Sequence, residues 1–424
     1  MSFKRRDFLK VAAVGAGAVA LGACGGAGLF GRAKARVVIV GGGFGGATTA
    51  KYLRLWDDDI AVTLIERNPN FISCPFSNLV IGGSKTMADI THGYDTLRGK
   101  YGVSVMQAEV IGIDSHKRSV TTSSGVVSYD RLVISPGIDF LYAGGLANLA
   151  SAAAQEQIPH AWKAGVQTAT LRRQLEAMQN GGVYVISIPM APYRCPPGPY
   201  ERVCQVAAYL KANKPKSKII VLDANPEITS KKGLFTKVWA EMYPGIIEYR
   251  PNNVAEEVDI ATRTIKTEFE KTKADVLNVV PPQKAGGVAN LAGVVNVGNR
   301  WCGVDFTTYE STVQKNIHVI GDAIAAPLPK SGHMANQIGK VCAGAIVALV
   351  NGDPVAAKPK FANTCYSFVN DKEAMHVAGV YQYDAEKKIM AAVDGTVGVS
   401  GTWSEIEGGY AQAWAQNIWS DTLK

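Results

Sequence analysis

From Val37 to Val40 the chain is wholly apolar and β-branched, VVIV, and it then breaks into a glycine cluster. A short continuous apolar run closed by turn residues predicts a strand buried on both faces. A helix is predicted over Ala47 to Trp56, then a second strand over Ile60 to Ile65 that leads into Glu66. A long irregular segment carrying Cys74 follows, with strand-like runs near Val103 to Ala108, Ile111 to Asp114 and Ser119 to Thr122. Tyr129 to Ile138 is another apolar strand ending in a small-residue turn. The middle third repeats the alternation: helix Val166 to Gln179, strand Val183 to Ile188, helix Tyr200 to Ala212, strand Lys218 to Asp223. Such alternation predicts a largely parallel sheet covered by helices. A last apolar strand, within Asn316 to Ile324, precedes a long apolar helix from Met334 to Val350. Beyond Asp353, Pro354 and Pro359 mark a linker, and the tail is rich in Tyr and Trp.

The glycine cluster adds chemistry to this pattern. Gly41, Gly43 and Gly46 form G-x-G-x-x-G between a strand and a helix. That spacing allows a tight turn, a close approach of backbone to a pyrophosphate, and tight helix–strand packing. The phosphates would sit at the helix N-terminus. Glu66, twenty residues beyond Gly46, is placed to accept from ribose hydroxyls. After the strand Val183 to Ile188, where a nicotinamide domain would carry a second glycine motif, stands PMAPYRCPPGPYERV, Pro189 to Val203. Pro192, Pro196, Pro197 and Pro199 lack the N–H donors that a phosphate needs, so a pyridine nucleotide has no obvious seat there. Gly321-Asp322 ends the later strand, where Asp322 could accept from the ribityl chain of a flavin or simply form a turn. The expected fold class is α/β, with two Rossmann-like dinucleotide-binding domains and a small C-terminal α+β domain. The first is a discontinuous FAD domain, 36–147 and 285–352, with the second inserted at 148–284; the C-terminal domain is 353–424.

Length and composition change little. At 424 residues, 47% hydrophobic and 19% charged, the chain is long enough for two or three globular domains. Its formal charge of +8 is concentrated at the start: residues 1–35 hold six Lys or Arg and one acid, which leaves +3 for the rest. No basic block interleaved with aromatics points to nucleic acid. KRRDFLK, Lys4 to Lys10, followed by a weakly apolar Ala/Gly-rich run, resembles a twin-arginine export signal. The run is too short and too rich in small residues for a stable membrane span. Leu21 to Cys24 reads as a lipobox and Ala33-Lys34-Ala35 as an ordinary cleavage site, with the second preferred. The expected location is the periplasm, with membrane contact only if Cys24 is lipidated.

Several stretches go further: VVIVGGGFGGATTAKYL, HGYDTLR (His92 to Arg98), PHAWKAG (Pro159 to Gly165), RCPPGPYE (Arg194 to Glu201), ADVLNVVPPQ (Ala274 to Gln283), PKSGHMANQ (Pro329 to Gln337) and NTCYS (Asn363 to Ser367). Through them the chain resembles the flavoprotein subunit of flavocytochrome c sulfide dehydrogenase, within the pyridine nucleotide–disulfide oxidoreductase superfamily. The resemblance implies FAD, attached through a thioether to Cys74. It implies a redox disulfide between Cys195 and Cys365, a proton-handling carboxylate at Glu201, and Trp414 near the flavin. By sequence alone Cys74 would read as a small buried hydrophobe, Glu201 as a helix-dipole partner and Trp414 as core. A bridge spanning 170 residues could also be structural, worth roughly 5 kcal/mol in the chain-entropy model.

The implied reaction is oxidation of hydrogen sulfide to sulfur or polysulfide. The chain has no C-x-x-C-H for covalent haem, so the electrons must leave it, and the implied acceptor is a separate c-type cytochrome subunit. A sulfide:quinone reductase and a non-catalytic flavin-binding or assembly protein are the alternatives. Cys204, Cys302 and Cys342 read as packed thiols. The six histidines are scattered and no metal site is expected.

Overall fold

The first apolar run becomes the strand Ala35–Val40, at the centre of a five-stranded parallel sheet. Side by side lie Ser104–Gln107, Ile60–Glu66, Ala35–Val40, Arg131–Ile134 and Ile317–Val319. In chain order these are strands 3-2-1-4-5, the doubly wound arrangement in which ligands sit at the carboxyl ends of the strands. Val37, Val38, Ile39, Leu64, Leu132 and Val133 are all buried. Burial on both faces is why these strands read as unbroken apolar runs rather than alternating ones. The computed structural model describes residues 33–424. The export-signal reading, with Cys24, lies outside them. Lys34 and Ala35 belong to the fold: Ala35 pairs with Ile60, Lys34 N–H donates to the Asp59 carbonyl, and its ammonium pairs with Asp57 at 3.2 Å and Asp59 at 3.3 Å.

The middle of the chain builds a second parallel sheet, ordered Ile247–Arg250, Lys218–Asp223, Val183–Ile188, Val276–Val279. Its chain order, 3-2-1-4, repeats the inner part of the first. Each sheet carries a three-stranded antiparallel extension, at Val110–Asp114, Ser119–Thr122 and Gly125–Ser128 in one case and Glu257–Asp259, Thr264–Lys266 and Lys271–Lys273 in the other. The C-terminal segment is an antiparallel sheet, Lys360–Phe368, Ala374–Asp384 and Ile389–Ala392, with Gly398–Val399 on the middle strand. The helix Glu405–Leu423 closes it. The larger of two apolar cores runs from Val38 through Tyr200 and Phe368 to Trp419, the smaller gathers Val185, Leu222 and Leu277 of the central sheet, and Lys34–Lys424 is a single compact unit.

Three helices begin earlier than their apolar periodicity predicts, because their first turns are polar or glycine-rich. The helix Phe44–Trp56 takes in the glycines after Gly43. Gly198–Asn213 starts at a proline-bearing turn, where the missing N–H costs nothing. Gly332–Asn351 is capped by Ser331 Oγ, which accepts from Met334 N–H. This last helix is long and apolar enough to cross a membrane, yet Ile338, Cys342 and Ile346 are buried in the core. Where it crosses Phe44–Trp56, a Cβ on Gly339 would lie 2.7 Å from the Gly45 carbonyl oxygen.

Candidate active site

At the carboxyl end of the first sheet lies a cavity of about 680 Å³, bordered by Gly41, Gly43, Glu66, Asp322 and Arg194. Gly41 and Gly46 are required by close backbone, and Gly43 stands in open space. Gly41 has φ +100°, and a Cβ there would meet the Ser135 carbonyl oxygen at 2.3 Å. A Cβ on Gly46 would meet the Gly41 carbonyl oxygen at 1.9 Å. Gly43 has nothing within 4 Å of its Cβ position and heads the helix without a side-chain cap, which leaves bare backbone toward the cavity. Glu66 is pinned across the turn: Oε2 accepts from Gly42 N–H at 2.7 Å and Oε1 from Asn68 N–H and Nδ2 at 2.8 Å. Asp322 follows the strand Ile317–Val319 on a 3-10 turn; burial raises its pKa, against the charges of Arg194 and Lys330. A bare helix start flanked by two carboxylates fits a dinucleotide whose pyrophosphate lies on the turn and whose sugar hydroxyls meet the acids.

A second cavity, about 90 Å³, adjoins the first, and Cys74, Pro75, Arg194 and Gly332 border both. Cys74, Cys195, Cys365, Glu201 and Trp414 all line the smaller one, although they come from widely separated parts of the chain. Cys74 precedes the helix Ser77–Gly82 and its carbonyl accepts from Ser77 N–H and Oγ. Cys195 sits on the proline turn at φ +59°, its N–H donating to the Lys330 carbonyl at 2.7 Å. Gly198 leaves room for its sulfur, since a Cβ there would lie 2.8 Å from Cys195 Sγ. Cys365 lies in the strand Lys360–Phe368 opposite Val377. The bridge implied between Cys195 and Cys365 is not formed in this structure: both are free thiols on the same cavity. Burial, with Cys365 and Glu201 adding to it, pushes the Cys195 thiol far above its ordinary range against the opposing charges of Arg194 and Lys231.

Glu201 is on the opening turn of its helix, but its carboxylate serves other elements. Oε1 accepts from Phe368 N–H at 2.9 Å and Oε2 from Asn78 Nδ2 at 2.8 Å. Burial raises its pKa. Trp414 stands edge-on to His333, with ring centroids 6.0 Å apart, and borders both the cysteine cavity and an open groove of about 390 Å³. His333 Nδ1 accepts from Thr364 N–H, and burial pushes its pKa down to about 4, so the ring is neutral at pH 7. Trp419 is core, its indole N–H donating to Ser73 Oγ.

Sequence reasoning missed Arg194 and Lys231. Arg194 lies in the wall between the cavities, and its Nη2 has no partner among the described residues. Burial works against its charge, but Cys74, Asp322 and Cys195 outweigh it. Its only signal was adjacency to Cys195. Lys231 lies in a polar loop that reads as solvated, yet it is 7% exposed.

In the central sheet, Asp223 ends the second strand as Glu66 does in the first. Its carboxylate is fully buried and accepts from Tyr200 and Tyr249 hydroxyls, at 2.8 and 2.9 Å, and from Asn225 N–H and Nδ2. No acceptor is left there for a ribose.

Comparison with known proteins agrees with this geometry. Profiles of the sulfide dehydrogenase [flavocytochrome c] flavoprotein chain, central domain, and of the flavocytochrome c sulphide dehydrogenase flavin-binding domain match residues 168–281 and 357–423. The pyridine nucleotide-disulphide oxidoreductase profile matches 35–153. A sulfide dehydrogenase [flavocytochrome c] flavoprotein chain from Chlorobaculum thiosulfatiphilum is 67% identical over 45 residues, 11% of this chain and 94% of that relative. The chain belongs to the flavocytochrome c sulfide dehydrogenase flavoprotein family. It is a sulfide-dehydrogenase-type flavoprotein, an oxidoreductase whose flavin is FAD. The three family segments each bring a cysteine to the small cavity: Cys74 from the first, Cys195 from the central one, Cys365 from the flavin-binding one. Sulfide-quinone reductase of Aquifex aeolicus is also related, 26% identical over 356 residues, 78% of this chain and 80% of its own. The crystal structure of the sulfide:quinone oxidoreductase from the same bacterium has a TM-score of 0.74 at 22% identity, covering 91% of both chains, and so shares the fold of this family.

Proposed function

We propose that this flavoprotein oxidises hydrogen sulfide through a redox disulfide between Cys195 and Cys365 and passes the electrons to a c-type cytochrome. The observation that carries the reading is the shared cavity: both thiols line it, and Cys74 and Arg194 stand in its wall toward the dinucleotide cavity. In the first step hydrosulfide bonds to one sulfur of the bridge, the Cys–Cys bond breaks, and the other cysteine leaves as a thiolate. Glu201, with its raised pKa and its place on the cavity, takes the proton of the entering H2S or of the persulfide. Cys74 is the attachment point of the flavin, which its position on both cavities supports. Bound FAD supplies a two-electron acceptor that can release electrons one at a time, as a cytochrome requires. Trp414, between the cysteines and the open groove, marks the side from which such a partner approaches.

The relatives that span most of this chain favour a second reading, with quinone as acceptor. Reduction of cytochrome c against reduction of a soluble quinone by the sulfide-reduced protein separates the two. The location we propose is the periplasm, reached by the twin-arginine route. Because Lys34 and Ala35 are built into the first sheet and its ion pairs, processing upstream of them is favoured over a cut after Ala35.

The first test mixes the flavin-loaded protein anaerobically with sulfide and, separately, with NADH. Sulfide should bleach the flavin band, NADH should not, and Cys195→Ser should abolish the response. Bleaching by NADH alone would contradict both the disulfide and the filled seat around Asp223.

A further inference from the structure

We propose that Lys231 is the positioning cation of the cysteine pair, holding the negative charge that appears there when the bridge opens. The proposal rests on reading Cys195 and Cys365 as a redox pair. Lys231 immediately precedes the helix Lys232–Met242, in the left-handed backbone region at φ +55°. A lysine is seldom buried without a partner. The Lys231 ammonium donates to the Cys365 carbonyl at 3.1 Å, and no carboxylate lies within ion-pair distance of it among the described residues. Three donors are available and one is used there. The titratable groups whose charge bears on it are Cys365 on its strand, Glu201 on the helix Gly198–Asn213, Cys195 on the proline turn and Glu407 on the C-terminal helix.

The loop that carries Lys231 is tied to the turn that carries Cys195. Thr229 N–H donates to the Tyr200 hydroxyl at 3.1 Å, and Thr229 Oγ1 meets the Tyr193 hydroxyl at 2.8 Å. Tyr193 also donates to the Pro196 carbonyl, and Tyr200 rests on Asp223. Tyr193, Tyr200 and Thr229 thus hold the cation and the cysteine turn in fixed relation.

When hydrosulfide adds, one S–S bond forms and one breaks, and the charge brought in by HS⁻ remains on the departing cysteine. An anion in that cavity needs cations beside it: Arg194 stands in the wall toward the dinucleotide cavity, and Lys231 adds a second from behind the Cys365 strand. Exchange rates follow thiolate fraction and leaving-group acidity, and a neighbouring ammonium favours both. Burial pushes the Lys231 ammonium down to about 8, opposed by Cys365, Glu201, Cys195 and Glu407, so the charge is lost on the mildly alkaline side.

The test uses the FAD-loaded full chain and two readouts. After reduction, iodoacetamide labelling of Cys195 and Cys365 is followed by mass spectrometry at neutral pH, and the rate of sulfide bleaching is followed against pH. Lys231→Met should slow labelling about tenfold, equivalent to about one pKa unit. Lys231→Arg should restore it to within about threefold and shift the alkaline fall of the bleaching rate upward, because a guanidinium keeps its proton. An unchanged labelling rate in Lys231→Met, with the flavin spectrum intact, overturns the proposal. Should Lys231→Met fail to fold, an alkaline limb left in place by Lys231→Arg overturns it equally. Peptide mapping of the air-oxidised wild type separately checks the pair: two unbridged thiols there would remove the redox reading itself, and this proposal with it.

Discussion

Gly198 is the residue at the cysteine centre with the least freedom to change. A Cβ would press on Cys195 Sγ at 2.8 Å and on the Trp162 ring at 3.0 Å. Overpacking of this kind costs about 1–3 kcal/mol. Gly198→Ala should therefore lower the urea midpoint and, by displacing the sulfur, slow sulfide bleaching by up to about 10²-fold. A variant with wild-type stability and rate would show that the sulfur is seated elsewhere. Glu201 depends on its neighbours in the same way. Arg202, fully buried, donates to Asn78 Oδ1, to the His160 and Ala161 carbonyls and to Asn278 Oδ1. Asn78 is thereby oriented to donate to Glu201. A buried guanidinium with four acceptors orients the amide that in turn holds the carboxylate proposed to handle the proton.

Among the elements, the crossing of Phe44–Trp56 with Gly332–Asn351 governs how well the glycine turn is held. Gly339 lets Thr49 Oγ1 reach its carbonyl at 3.2 Å, while Asn336 Nδ2 joins Thr48 Oγ1 and Asp421 Oδ2. Gly339→Ala should separate the helices, lower stability by about 1–3 kcal/mol and loosen the seating of the flavin, read as a lower melting temperature and a raised flavin fluorescence. Local pattern was enough to foresee these helices and the strands between them, because burial on two faces writes unbroken apolar runs and the turn needs its glycines. The site was a different matter. Cys74, Cys195 and Cys365 belong to three elements that periodicity cannot bring together, and only likeness to a known family joined them. Lys231 gave no signal, since a Ser-Lys-Lys-Gly loop looks solvated until the tyrosines that tie it down are seen in place. The helix starts were missed because glycine and proline carry no apolar period.

For the molecule as a whole, acid should be felt through buried histidine. His318 is inaccessible in the first sheet, its Nδ1–H donating to the Thr308 carbonyl and Nε2 facing Arg131. Burial pushes its pKa down to about 4, from 6.5. Unfolded chain therefore binds a proton in that window that folded chain does not, so this contribution to stability is complete above about 6.5 and is lost as pH falls toward 4. His318→Gln should flatten the pH dependence of urea unfolding near pH 5 by about 1.4 kcal/mol per pH unit; an unchanged slope would mean that the ring is protonated in the fold. Last, the carboxylate of Asp223 bears on the cell as much as on the site. Its two oxygens are occupied by the chain's own tyrosines and asparagine, and this is the feature behind the expectation that NADH leaves the flavin oxidised. On the function proposed above, sulfide would drain through such a protein while stored hydride stayed out of it, which would make it a valve between two electron pools.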